Sequence, residues 1–327
     1  MVEQVFPGIY RIDIPLPRSP LKALNAYVLR GEGRFLVVDT GWNQETCLRS
    51  MLSGLKEIGV DLDRTDFFIT HLHADHMGLV GRLIRKTTRV YLGAADAAAA
   101  LSIRNGREER IKGLIRTYLS HGFPEPELRK AVENHPGFQY GPPLPQDLHP
   151  LREGDLVELG EFAFRTIHTP GHSPGHTCLY EANRQLLISG DHILSDITPN
   201  ITIWPEMQDS LQKYLASLEK VFDLDVKMVL PGHRSVMTDL KARIMELREH
   251  HRKRLDEALH ALEAGERTAW EVAPHLTWDL DVRSWSRFPP AQKWFAMGET
   301  VAHLKYLVAC GKAASREHQG KWLFSLK

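Results

Sequence analysis

The 327 residues predict an α/β fold with a helical insertion and a small, mainly helical C-terminal unit. Three observations carry that expectation. Short apolar runs of strand length alternate with helical periods at the start of the chain. The alternation breaks over about 94–150, where helical patterns follow one another, and then resumes. From residue 240 helical patterns replace the strands until the last few residues. The chain therefore divides into a unit over 1–239, carrying the insertion, and a unit over 240–327.

Each element has its own signal. Ile9–Ile14 reads as a strand. Ala26–Leu29 and Phe35–Val38 flank Gly31-Glu32-Gly33, a hairpin signal. Leu48, Met51, Leu52 and Leu55 repeat at helical spacing over residues 44–58. Phe67-Phe68-Ile69 reads as a buried strand, residues 77–86 as a helix and Arg89–Leu92 as the next strand. In the insertion, Asp96–Leu101, Glu108–Leu119 and a segment from Glu125 to about Asn134 read as helices. The Pro-rich loop Gly141-Pro142-Pro143-Leu144-Pro145 follows. An insertion of this size is expected to cap a site. Strand patterns return at Asp155–Leu159, Phe162–His168, Cys178–Tyr180, Gln185–Ser189 and Val226–Leu230, with a helix at Leu211–Val221. The C-terminal unit reads as helices over Leu240–Ala264, Trp270–Leu276 and Ala291–Ala309, then a hairpin turning at Gln319-Gly320. Three helices and a hairpin form a winged-helix pattern. Met245, Leu255, Leu259 and Leu262 fit the buried stripe of its first helix.

Composition removes several classes. Lys plus Arg and Asp plus Glu both number 41, so the net charge is zero. That argues against a nucleic-acid coat or a polybasic membrane binder. Three distant cysteines, Cys47, Cys178 and Cys310, exclude a disulfide scaffold and a CxxC zinc module. Cys178 lies on an alternating strand, where core burial is expected. No basic-then-apolar leader and no run near 18 apolar residues is visible, so a cytoplasmic protein without a membrane span is expected. The unusual quantity is 17 histidines, since imidazole is the commonest metal ligand.

Their placement matters more than their number. His71-Leu72-His73-Ala74-Asp75-His76 follows the Phe-Phe-Ile strand. Residues two apart on extended chain point the same way, so His71 and His73 can reach one ion. Asp75 and His76 follow where the chain turns into a helix and point elsewhere. Four such residues crowd a single tetrahedral ion; two adjacent ions suit them better. His172, Asp191 and His233 each follow a strand or strand turn, directly after Gly171, Gly190 and Gly232. Glycine there allows a sharp turn and close backbone approach to an ion.

His71 to His76 resembles the HxHxDH motif of the metallo-β-lactamase superfamily. Asp39, His172, Asp191 and His233 stand in the order of that family's other motifs, and the likeness spans roughly residues 5–235. The resemblance implies an αββα sandwich and two divalent ions, zinc ranked ahead of iron or manganese. It implies that His71, His73 and His172 hold one ion, that Asp75, His76 and His233 hold the other, and that Asp191 bridges them. Asp39 would orient a ligand rather than bind. Water between the ions would be acidified towards pKa ~7 and attack as hydroxide. Asp75 would then act as the catalytic proton shuttle. No cysteine sits at a ligand position, and Asp75-His76 resembles the hydroxyacylglutathione-hydrolase-like, lactonase and nuclease branches rather than the β-lactamases. His176 would support the ligands or line the pocket. His192, which points away by alternation, is a pocket candidate with Asn200, Trp204 and Tyr118; Asp196, His121 and Phe123 are further ones.

Residues 241–327 hold 15 Lys and Arg against 11 Asp and Glu, with five of the seven tryptophans. Core packing is expected for the tryptophans. Glu299–Leu307 with the final hairpin resembles the winged-helix tail of some β-lactamase-like hydrolases. So small a charge excess ranks pocket closure or homodimer pairing ahead of DNA binding. The expected activity is hydrolysis of a small-molecule thioester or ester, of acyl-CoA or acyl-glutathione type. The alternative is a phosphodiesterase or ribonuclease of the same fold.

Overall fold

The computed structural model describes residues 1–141, 147–280 and 284–327. The Pro142–Pro145 part of the expected loop lies outside the described residues. The first sheet runs β1 (Val2–Phe6), β2 (Ile9–Pro15), β3 (Ala23–Arg30), β4 (Phe35–Val38), β5 (Thr65–Ile69), β6 (Val90–Gly93) and β7 (His149–Leu151), in that spatial order. β1 to β4 pair antiparallel, and β4 to β7 pair parallel. The second sheet has the order β12 (Met228–Pro231), β11 (Leu186–Gly190), β10 (Thr177–Glu181), β9 (Phe162–His168), β8 (Leu156–Leu159).

Three apolar layers make this a four-layer sandwich of helix, sheet, sheet and helix. Period-two alternation sends Phe67 and Ile69 to one face of β5 and Phe68 to the other. Phe67 and Ile69 meet α1 (Glu45–Ile58) through Cys47, Met51 and Leu55. Phe68 faces Phe164, Leu179 and Ile188 of the second sheet. The outer face of that sheet, with buried Cys178, packs on Leu211, Tyr214 and Leu218 of α7 (Ser210–Phe222). The expected α/β sandwich is therefore present.

Some elements differ from the sequence reading. The helix expected over residues 77–86 is two single turns, α2 (Ala74–Met77) and α3 (Val80–Leu83). The two helices expected around residue 105 are one, α4 (Ala94–Ser120), kinked at Gly106, whose φ is −152° and ψ 41°. β1 and β7 were not expected; both lie at the edges of the first sheet, where few buried positions leave an alternation to read.

The insertion continues through α5 (Glu125–Glu133) and α6 (Pro136–Gln139). The C-terminal unit consists of α8 (Leu240–Leu262), α9 (Ala269–Val272), α10 (Pro290–Ala309) and the hairpin β13 (Ala313–His318)–β14 (Lys321–Leu326). These two regions share one core: Tyr118, Phe123 and Leu128 of the insertion pack with Met297, Val301 and Leu304 of α10. Trp294 belongs to that core, with Trp270 and Trp278 at its edge, whereas Trp322 is exposed. α8 serves two cores. Leu240, Ile244 and Leu247 pack on α7, and Ala258, Ala261 and Leu262 pack in the shared core. Met245, assigned above to the buried stripe, is instead 62% exposed. The true stripe passes through His251 and Arg254, and these two polar members hid its phase. Among the described residues no helix is long and apolar enough to cross a membrane.

Candidate metal centre

The ends of β4, β5, β11 and β12 and the β9–β10 connection meet at one edge of the sandwich and deliver Asp39, His71–His76, Asp191, His233 and His172. Three ligand sets form. His71, His73 and His172 offer nitrogen atoms within 4.8 Å of one another; so do atoms of Asp75, His76 and His233, and of His71, His76 and Asp191. Asp191 faces both histidine groups. Its Oδ1 lies 3.4 Å from His76 Nε2, and its Oδ2 lies 3.7 Å from His172 Nε2 and 3.5 Å from His233 Nε2.

Hydrogen bonds behind these rings fix which nitrogen is free. His76 Nδ1 donates to Asp39 Oδ2 at 2.7 Å, His172 Nδ1 to the Asn200 carbonyl at 2.8 Å and His233 Nδ1 to the Ala23 carbonyl at 2.7 Å. Each neutral ring then carries its lone pair on Nε2. All three Nε2 atoms are buried and have no hydrogen-bond partner, and neither has Asp191 Oδ1. His233 Nε2 also faces Asp75 Oδ2 at 3.3 Å. Lone pairs aimed at carboxylate oxygens repel, and a positive charge between ring and carboxylate, a proton or a metal ion, reverses the sign. These residues thus fit divalent metal ions.

The electrostatics agree. Burial lowers His71 well below the usual imidazole range, and the neighbouring rings His76, His73 and His172 add to the effect. Burial, then His172, lowers His73 to about 3. Burial works against charge on His76 too, but Asp191, Asp39 and Asp75 outweigh it and hold His76 well above 6.5. At His233 burial is likewise outweighed by Asp191 and Asp75, which bring it up to about 10. Asp75 is pushed up by burial but brought down to about 2 by His76 and His233. Positive charge is favoured on the side where the carboxylates gather.

The supporting residues are built into the loops. Asp39 sits at a φ of 62° and accepts from Thr70 N and Thr70 Oγ1, both at 2.9 Å, besides His76. Of the ligand-type residues it bonds His76 alone. His176 is fully buried; its Nδ1 meets Thr169 Oγ1 at 2.7 Å, and its Nε2 accepts from Asp191 N at 3.1 Å. Gly232 is needed for space, because a Cβ there would lie 2.6 Å from Asp191 Oδ1 and 2.8 Å from His76 Cε1.

The pocket candidates divide. Trp204 stacks on His73 at 5.5 Å and donates its Nε1 hydrogen to the His172 carbonyl at 3.1 Å, beside the centre. Asn200 is also adjacent, but its side chain points into the C-terminal unit, to Glu299 Oε2 at 2.7 Å. Tyr118 is 2% exposed and stacks on Trp294 at 4.0 Å inside the shared core, so it lines no open pocket. His192 is fully buried against Tyr214 and lines none either. Its alternation away from Asp191 carries it into the outer core.

Three contributors went unread in the sequence. Asp96, fully buried at the start of α4, accepts from Leu72 N at 2.9 Å, Ser173 Oγ at 2.7 Å and Gly175 N at 2.6 Å. It ties the loop of His71 and His73 to the loop of His172. Burial raises its carboxyl to about 6 against these three donors. Asp96→Asn would turn an amide hydrogen towards one of them. The expected cost is about 1–3 kcal/mol, read as a drop in Tm. Asn25 is the second: its Nδ2 donates to the Pro231 and Arg234 carbonyls at 2.9 and 2.8 Å, bracketing His233. The third, His135, caps α6 and accepts from Gly137 N at 3.1 Å, with Phe138, Trp294 and Phe295 around it. α6 packs on α2, and Tyr140 stacks on Trp42 at 4.7 Å, so the insertion covers this side of the centre.

Comparison with known proteins accords with this geometry. Residues 21–233 match the model of the metallo-beta-lactamase superfamily, and residues 255–327 match that of the metallo-beta-lactamase-like C-terminal domain. The chain is 29% identical over 238 residues to an acyl-coenzyme A thioesterase of Gallus gallus, covering 69% of this chain and 77% of that one. It is 25% identical over 272 residues to an atrochrysone carboxyl ACP thioesterase of Aspergillus novofumigatus, covering 81% of this chain but 66% of the fungal one. A crystal structure of a metallo-beta-lactamase family protein from Thermus thermophilus superposes with a TM-score of 0.85 at 30% identity, over 99% of this chain and 100% of that one. With the family model spanning the sandwich and the ligand-type residues converging at its edge, this chain belongs to the metallo-beta-lactamase superfamily and is a metal-dependent hydrolase of that fold.

Proposed function

We propose that the chain is a dinuclear thioesterase acting on acyl groups carried by coenzyme A or a similar thiol. The observation that carries the reading is the pair of three-residue ligand sets facing a shared Asp191. His71, His73 and His172 would hold one ion, Asp75, His76 and His233 the other, and Asp191 would touch both. When bound, the ions polarise a carbonyl oxygen and acidify a water for attack. Zinc is the ion of choice for this mixture of imidazole and carboxylate.

The chain's own residues supply orientation and proton handling. Asp39, Asn200 and the Ala23 carbonyl hold three imidazoles with their Nε2 atoms inwards. Asp75 is held ionised by His76 and His233, and its contacts among the described residues use Oδ2. In this reading Asp75 would take a proton from the water and return it to the thiol leaving group. Trp204, stacked on His73, would give an apolar wall for an acyl chain.

Thioester ranks ahead of nucleic acid on charge. The one dense basic run, Arg252-Lys253-Arg254, is neutralised: Arg252 pairs with Glu249 and Asp256, and Arg254 is buried against Glu299. The relatives named above as thioesterases support the same ranking. The test is a panel on metal-loaded protein of acyl-CoA, acyl-glutathione, a lactone, bis-p-nitrophenyl phosphate and single-stranded RNA. Thioester turnover is expected; turnover of RNA with none of thioester would reverse the assignment.

A further inference from the structure

The C-terminal unit reaches the metal centre through a chain of four residues, Arg254, Glu299, Asn200 and His172. Glu299 of α10 is 4% exposed, and both its oxygens are engaged. Oε1 pairs with Arg254 Nη1, and Oε2 accepts from Asn200 Nδ2 at 2.7 Å. Arg254 is itself buried; it donates to the Thr277 carbonyl and lies 4.3 Å over the ring of Trp278. Asn200 donates also to the Phe295 carbonyl at 3.2 Å, and its own carbonyl receives His172 Nδ1 at 2.8 Å.

We propose that Glu299, fixed by Arg254, is a positioning residue that sets the orientation of His172 through Asn200, so that the C-terminal unit completes the metal centre. The inference rests on the dinuclear reading above. Its physical basis is the loop that carries Asn200. Residues 191–209 contain neither helix nor strand, so no ladder fixes the direction of the Asn200 carbonyl. Clamping the side chain of the same residue fixes it instead. A charged acceptor does this better, because hydrogen bonds to an ionised group are roughly twice as strong as neutral ones. An ion pair this deep is not by itself a source of stability, so its presence calls for such a task. The alternative, that Glu299 with nearby His250 and His251 holds a third ion, is disfavoured. Arg254 already places a fixed positive charge on that carboxylate.

Zinc affinities of metal-stripped protein, measured by competition with a chromophoric chelator, test the proposal. Glu299→Gln keeps the volume but has one acceptor oxygen, so it must release Asn200 or Arg254. Asn200→Ala cuts the link while leaving the ion pair intact. Each is expected to weaken one of the two zinc equivalents about 10–100-fold, with the other unchanged within about twofold. The double variant is expected to be no worse than the weaker single one, since both changes cut one path. Three results would overturn the inference alone: wild type takes two equivalents and Asn200→Ala takes both with unchanged affinity; the two losses add in the double variant; or both equivalents weaken together in step with Tm. Should Glu299→Gln fail to fold, Asn200→Ala decides alone. A wild type that takes up no metal overturns the dinuclear reading and the inference with it.

Discussion

His73→Ala is expected to lower kcat by roughly 10³-fold or more while the fold survives. A metal acting as Lewis acid contributes several kcal/mol to the transition state, and each 1.36 kcal/mol is a factor of ten. His73 is the informative ligand to remove. It is half-buried at the rim, and its Nδ1 lies 2.9 Å from His71 Nε2, within the first ligand set. His76, by contrast, is wholly buried and bonded to Asp39, so its removal would confound folding with chemistry. The measurements are kcat, metal content and a circular-dichroism melt. Full activity in this variant would sink the metal mechanism.

Stripping the metals should lower Tm by about 5 °C per ion, and adding zinc back should restore it. Three inward-facing Nε2 atoms and the Asp75 and Asp191 carboxylates crowd together at the centre. An ion present at 100 times its dissociation constant contributes ~2.7 kcal/mol to the folded state. For a chain of this size each kcal/mol moves Tm by about 2 °C. Differential scanning calorimetry with and without chelator reads the difference. Coincident melts would show that the carboxylates and imidazoles bind nothing at that concentration.

The strand ends were legible because each ligand-type residue stands next to a local signal. Phe67-Phe68-Ile69 announces β5, and the glycines before His172, Asp191 and His233 announce turns. Asp96 had no such signal; it looks like any acidic residue in the first turn of a helix, and its three donors lie on two other loops. Tyr118 and His192 show the converse error. Closeness to a motif, or a place in an insertion, does not say which way a side chain points. The stripe of α8 was misread because its centre is polar: the partner of Arg254, Glu299, lies 45 residues further along the chain, and that of His251, His303, lies 52 residues further. Contacts of that kind carry no local period.

The shared core of insertion and C-terminal unit has a consequence for synthesis on the ribosome. Tyr118, Phe123 and Leu128 are translated first, and their partners on α10 come roughly 170–190 residues later. At 5–20 residues per second that interval lasts roughly 10–40 s. During it the insertion's apolar face is made but uncovered, and the nascent chain must keep it from sticking elsewhere. The sandwich can close first, because its strands are complete by Pro231. Synthesis of α10, rather than closure of the sandwich, is then the moment at which the side of the centre built by α10 comes into being.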